Sequence, residues 1–192
     1  MDLGISGRKA IVCASSRGLG KGCAMALAEA GCEIVLNGRD VQALAATEAE
    51  IRQRFAVKVT SVPADVSTRD GQQALLDACP TPDILVNNNG GPPRKDYSEL
   101  KRDDMVAGVI QNMVTPIELI QAVVDNMCAQ GFGRIVNITS MSVRMPIEGL
   151  DLSSGARAGL TAFLAGVSRH VRLHAHDLYA SGYLRCSACS FL

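Results

Sequence analysis

"VCASSRGLGKG" (residues 12–22) joins a short apolar run to a long helical pattern. Before it, "KAIVCAS" (residues 9–15) has the continuous hydrophobicity of a buried strand. After it, "GKGCAMALAEAG" (residues 20–31) carries small residues at helical spacing and a glycine at its C-terminal end. A turn of such small residues lets a phosphate approach the backbone closely. The start of the helix adds free N–H groups and a partial positive charge. The spacing Ala14-x-x-x-Gly18-x-Gly20 differs from the commoner G-x-G-x-x-G. A glycine-rich turn also serves tight strand–helix packing. Its place after the first strand of a βαβ unit favours the phosphate reading.

Working outward, strand-like and helix-like stretches alternate. "EIVLNG" (residues 33–38) reads as a second strand, and Asp40 caps a helix running to about residue 55. "AVKVTSVPAD" (residues 56–65) is a third strand, and Ser67 or Asp70 starts a short helix. "DILVNN" (residues 83–88) is a fourth strand. The Gly-Gly-Pro-Pro that follows it enforces a loop. A long helix spans about residues 102–130, "GRIVNITS" (residues 133–140) is a fifth strand, and a last helix covers about residues 153–174. Short Val/Ile-rich strands linked by helices predict an α/β fold: a doubly wound parallel sheet with helices on both faces.

The bulk composition narrows the function. A chain of 192 residues, 47% hydrophobic, can bury one sizeable core. Acidic and basic residues both total 19, so nothing points to nucleic acid or another polyanion. The N-terminal segment lacks the apolar core of a signal peptide, and no uninterrupted apolar run approaches membrane-spanning length. The expectation is a soluble cytoplasmic protein with no nucleic-acid or membrane partner. Among the seven cysteines, Cys13, Cys23 and Cys32 lie in strand or helix patterns and read as small buried thiols. Cys186 and Cys189 form a CxxC without a second pair, which gives little support to a metal or redox site. His170, His174 and His176 cluster at a helix end without a carboxylate or cysteine constellation, so no metal is expected.

Taken in order, these segments resemble the short-chain dehydrogenase/reductase family over about residues 5–175. That family's turn is T-G-x-x-x-G-x-G; Cys13 and Ala14 hold its first two places, followed by Ser16, Arg17, Gly18, Leu19 and Gly20. Asp65 and Val66 resemble its Asp-Val pair beside adenine, and "NNNG", with Asn88 and Gly90, its N-N-A-G. Asn112 stands where the family has a structural and catalytic asparagine, and Ser140 where it has the catalytic serine. The resemblance implies a Rossmann-type single domain over residues 1–175, a nicotinamide cofactor and an atypical tail over residues 176–192. It also implies an acidic residue at the end of strand two in NAD-dependent members. Gly38 and Arg39 stand there, with Arg17 in the turn. Two guanidinium groups and no acid favour NADP over NAD.

The resemblance fails at two decisive places. The family has a tyrosine thirteen residues after the serine and a lysine four residues later, on one helix face. Here those places hold Ser153 and Arg157, and the surrounding "ARAGL" fixes the register. Serine is a shorter and far weaker acid than tyrosine, and arginine does not readily relay a proton. Arg157 retains the charge to hold cofactor ribose. Tyr97 follows the loop that borders the family's substrate site, but reads more readily as a surface tyrosine, and Ser142 reads as an ordinary loop hydroxyl. Tyr179 and Tyr183 lie in the tail. After about residue 172 the match stops: neither the family's later strands, nor its Pro-Gly turn, nor its lid is legible. A frameshifted or shortened reading frame and a divergent terminus both fit that pattern.

Two readings follow. One is an NADP-dependent oxidoreductase similar to 3-oxoacyl-acyl-carrier-protein reductases, with Asn112, Ser140, Ser153 and Arg157 at the catalytic positions and a small-molecule or acyl-carrier substrate. The other is a catalytically silent nucleotide-binding or subunit-interaction protein. The helices at about 102–130 and 153–174 resemble those with which the family builds dimers and tetramers, so a homodimer or homotetramer is expected.

Overall fold

The structure, a computed structural model, describes residues 2–174, 184–185 and 189–191. Five strands, β1 (Lys9–Val12), β2 (Glu33–Gly38), β3 (Val59–Pro63), β4 (Ile84–Asn87) and β5 (Gly133–Asn137), alternate with helices. The helices are α1 (Gly18–Glu29), α2 (Val41–Arg54), α3 (Arg69–Ala78), α4 (Arg102–Val109), α5 (Thr115–Ala129) and α6 (Asp151–His174). Two short strands follow, β6 (Leu184–Arg185) and β7 (Cys189–Phe191). Strand order is β3-β2-β1-β4-β5-β7-β6, and β1 to β5 pair in parallel. The chain winds outward from β1 to β3, then crosses back to place β4 on the other side of β1. That reversal opens a crevice at the C-terminal strand ends between β1 and β4.

The two-residue strand period divides the core into two faces. Ala10 and Val12 of β1 join Ile34 and Leu36 of β2 beneath Ala24, Ala28, Leu44 and Ile51 of α1 and α2. Ile11 and Val35 point the other way, into Leu75 of α3 and Leu119, Val123 and Met127 of α5. Helices therefore cover both faces, as the alternating pattern predicts. The continuous helical stretch Arg102–Ala129 is long and apolar enough to cross a membrane by length and composition. Its inner residues Leu119, Ile120, Val123 and Met127 are built into the core instead. Of the thiols, Cys13 and Cys32 are buried and Cys23 is half-buried; burial pushes the Cys13 thiol up to about 12.

Three boundaries depart from the sequence reading. Thr68, rather than Ser67 or Asp70, caps α3, accepting from the Gly71 N–H at 3.1 Å. Ser67 is occupied instead with the Asp65 carboxylate, donating through both N–H and Oγ. The long helix is interrupted by a π turn at Ile110–Val114, which carries Asn112. The tail, read as lacking a strand pattern, contributes β7 parallel to β5 and β6 antiparallel to β7. Pairing of this kind needs backbone N–H and C=O groups at an open edge, not an apolar side-chain pattern. The side chains of His170, His174 and Cys189, and residues His176, Tyr179, Tyr183 and Cys186, lie outside the described residues.

Candidate nucleotide and catalytic site

The ends of β1, β2 and β3 and the segment after β4 surround an open cleft of about 1200 Å³. Ala14, Ser16, Arg17, Arg39, Asp65, Val66, Asn88 and Gly90 all line it, which brings together most of the residues singled out for cofactor binding. The turn is held by polar groups that leave its outer backbone open. Ala14 adopts φ +44°, the left-handed region in which glycine is favoured. Its N–H donates to Asn37 Oδ1 at 3.3 Å, and its carbonyl accepts from Asn88 Nδ2 at 3.2 Å. Gly20 is required by packing: a Cβ there would stand 2.3 Å from the Ala14 oxygen. At Gly18 and Gly90 a Cβ would meet nothing within 4 Å, so the backbone there faces open space. Arg17 precedes α1 without a side-chain cap, leaving the first-turn N–H groups for a ligand. Leu19 is exposed beside them.

Asn37 and Ser15, which the sequence reading passed over, hold this turn in place. Both are fully buried. Asn37 Nδ2 donates to the carbonyls of Val62 and Ala64, its backbone N–H to Ser15 Oγ, and Ser15 Oγ to the Val12 carbonyl. Thr47 Oγ1 adds a bond to the Ser16 carbonyl at 2.9 Å. The available signal was a lone amide directly after the apolar Ile34, Val35 and Leu36 of "EIVLNG".

The expectation of a ribose site without acids is corrected by the same cleft. Asp40 and Asp65 line it beside the arginines. Arg17 pairs with Asp40, and Arg39 Nη1 stands 3.6 Å from Asp65 Oδ2. The Ala43 N–H, with Arg17, holds the Asp40 carboxyl below the usual range. The Ser67 hydroxyl and N–H, assisted by Arg39, do the same for Asp65. Asp65 is brought here from the end of β3, and Asp40 is also the α2 cap, accepting from Ala43 at 3.0 Å. Position along β2 alone therefore misses both charges.

The segment that follows β5 is arranged differently. Ser140 begins a short 3₁₀ turn, and its Oγ accepts from the Ser142 N–H at 3.1 Å and the Ser142 hydroxyl at 2.9 Å. Ser142, read from sequence as an ordinary loop hydroxyl, is buried and orients Ser140. With two donors directed at its oxygen, Ser140 retains its own proton to donate to a carbonyl. Ser153 and Arg157 are both buried. Arg157 Nη1 donates to the Ile138 carbonyl at 2.6 Å, just beyond β5, and Nε to Ser153 Oγ at 3.3 Å. Burial lowers the pKa of its guanidinium.

Asn112 and Arg157 line one cavity with Asn87, Thr115 and Asn137. Four atoms around it, Asn87 Oδ1, Asn112 Oδ1, Thr115 Oγ1 and Asn137 Nδ2, are buried without a protein partner. That mixture of donors and acceptors suits water. Ser140 lines a different cavity, with Thr139, Arg144 and Thr161. Ser140 thus does not line the cavity that Asn112 and Arg157 share. Tyr97 is 77% exposed and lines a separate groove with Arg94 and Asp151, which agrees with its surface reading.

Comparison with known proteins agrees with this architecture. Residues 8–176 match the model of the short chain dehydrogenase family. An uncharacterized oxidoreductase of Bacillus subtilis is 32% identical over 77% of this chain, which spans only 56% of that protein's length. A 3-oxoacyl-[acyl-carrier-protein] reductase of Synechocystis is 31% identical, covering 87% of this chain and 69% of its own. The structure of L-sorbose reductase from Gluconobacter frateurii, complexed with NADPH and L-sorbose, superposes with a TM-score of 0.85 at 28% identity, covering 91% of this chain and 68% of that one. With the sheet order, the glycine-containing turn after β1 and the Ser140 strand end in their places, the chain belongs to the short chain dehydrogenase family.

Proposed function

We propose that this chain binds NADP in preference to NAD and acts as an oxidoreductase on a carbonyl or alcohol compound, in the manner of a 3-oxoacyl reductase but with low turnover. The cleft from Ala14 to Gly90 carries the reading. Its open turn and first-turn N–H groups fit a pyrophosphate, and Val66 and Asp65 fit the adenosine side. Arg17 and Arg39 are each more than 70% exposed at the side chain. Both can therefore turn from their carboxylates towards a 2′-phosphate. A bound nicotinamide would supply or accept hydride. Ser140, oriented by Ser142, would polarise the carbonyl. No phenol stands at position 153 to deliver the proton, and its loss removes a contribution of roughly 10²–10⁴ in rate. The NADPH complex of the sorbose reductase and the acyl-carrier reductase among the relatives support this choice of cofactor and substrate class.

A second reading, a silent nucleotide-binding or subunit-interaction protein, is favoured by one observation: Arg157 bonds to Ser153 and to the Ile138 carbonyl. Exposed Met105, Val106, Val109, Ile110 and Phe163 on the helical stretch from Arg102 and on α6 offer the apolar surface for a homodimer or homotetramer. Fluorescence titration with NADPH and NADH, followed by a ketone and 3-oxoacyl thioester panel, tests both readings. Saturable NADPH binding with slow reduction is expected. Binding without reduction selects the second reading; absence of binding overturns the first and leaves the second only its subunit-interaction form.

A further inference from the structure

We propose that Arg144 is a specificity-determining residue that receives an anionic group of the substrate, so that the compound reduced is an oxo acid with a free carboxylate close to its carbonyl. The inference rests on the reading of Ser140 as the group that polarises this carbonyl, and it names the substrate class for the same site. Ser140 and Arg144 stand at the two ends of one short turn. Ser140 caps the start of the 3₁₀ turn Met141–Val143, and Arg144 closes it, its N–H donating to the Met141 carbonyl at 3.0 Å. Both line one open cavity of about 790 Å³, with Thr139, Met141, Val143 and Thr161. The Ser140 oxygen is held by the two donors of Ser142, which leaves its own proton for a carbonyl.

The charge in that cavity is unanswered. Of the five arginines that line the cavities around Ala14, Asn112, Ser140 and Tyr97, four have partners. Arg17 pairs with Asp40, and Arg39 with Asp65. Arg94 donates to the Glu148 carbonyl, and Arg157 to Ser153 and the Ile138 carbonyl. The Arg144 guanidinium has no partner among the described residues. The cleft at Ala14 contains Asp40 and Asp65, and the groove at Tyr97 contains Glu148 and Asp151. No carboxylate of the described residues lines the cavity at Ser140. The one formal charge on its wall is therefore positive. A guanidinium presents a planar pair of donors that fits a carboxylate. Met141 and Val143 add apolar wall for a carbon chain.

The shortness of the turn limits where the anion sits. A molecule whose carbonyl meets Ser140 and whose anion meets Arg144 must carry the two only a few bonds apart. The carboxylate of a 3-oxo acid satisfies this. The phosphate of a pantetheine carrier stands at the far end of a long arm and does not.

Calorimetric titration of the intact chain, in saturating NADP⁺, with 3-oxohexanoate, its methyl ester and 3-oxohexanoyl coenzyme A tests this without requiring turnover. The acid should bind about tenfold more tightly than the ester or better, the effect of one charge-assisted contact. That gap should narrow as salt is raised. Arg144 is exposed, so its replacement leaves the core intact. Arg144→Gln should weaken the acid to the level of the ester, and Arg144→Lys should restore part of the gap. Equal affinity of acid and ester, or a gap that survives Arg144→Gln, overturns the inference and leaves the proposed function standing. A thioester that loses as much as the acid in Arg144→Gln would move the contact to phosphate and overturn the carboxylate assignment. Binding by none of the three also overturns the inference, while the cofactor titration and the ketone panel decide the proposed function separately.

Discussion

The turn after β1 and the segment from Ser140 to Arg157 sit at the same edge of one sheet, yet they treat their polar groups in opposite ways. At the turn, Ser15, Asn37 and Thr47 satisfy the buried backbone from behind. The outward N–H groups of the α1 start are left for a ligand. In the second region, Arg157 and Ser153 are buried, and Arg157 donates two of its five N–H groups inward, to Ser153 and to the Ile138 carbonyl. A binding surface requires its donors to be free while their supports are bound. The first region meets that requirement. The second meets it at Ser140, whose oxygen is held by Ser142. Matching residues by position in a family gives equal weight to both regions; hydrogen-bond partners separate them.

The largest expected effect breaks this contrast directly. Ser153→Tyr combined with Arg157→Lys restores a phenol and a cation able to lower its pKa. NADPH-dependent ketone reduction should rise by about 10²-fold or more. An unchanged rate would place the deficit outside these two residues. Next in size, Arg157→Leu removes the donor to Ile138 and should cost about 2–3 kcal/mol in urea unfolding. A loss under about 0.5 kcal/mol, the range of an ordinary surface change, would show that the inward bond carries no weight.

The turn offers the matching test. Asn37→Ala leaves the Val62 and Ala64 carbonyls and the Ala14 N–H without their side-chain partner. It should cost about 2 kcal/mol and weaken NADPH binding together with stability. Weakened stability with unchanged affinity would detach the turn's support from its function. Ala14→Gly should stabilise by about 0.5–1 kcal/mol, because φ +44° is strained for alanine and not for glycine. A destabilised variant would mean that the methyl group packs usefully.

The smallest effect is a pH dependence. Asp65 lies below its ordinary range chiefly through Ser67. A carboxyl lowered in the folded state adds stability above its unfolded pKa of about 3.9 and loses it as pH falls through the folded value. Ser67→Ala should therefore cost less than about 1 kcal/mol at neutral pH, with the gap from wild type closing below about pH 4. A gap that persists in acid would assign the effect to Thr68 and the α3 start instead.

The alternation of apolar strands and small-residue helices was legible because it is periodic along the chain. The turn after β1 was legible because Gly18 and Gly20 mark a conformation and a close approach that side chains obstruct. Position also placed Asp65, Asn88 and Gly90 in the cleft, since each ends or follows a strand of a parallel sheet. Tertiary structure decided where long side chains end and which charges meet. Asp40, the α2 cap, and Asp65, just past β3, come from different elements to pair with Arg17 and Arg39. Ser142 became a support for Ser140, two residues away, through a three-residue turn. From the tail, β7 follows the backbone edge of β5 and β6 follows β7, rather than any pattern of their own. Arg157 shows the division most plainly. Its place, four residues after Ser153, is fixed by helix geometry. Its direction is set by an unpaired carbonyl nineteen residues away, because a buried guanidinium turns to whichever acceptors folding brings within reach.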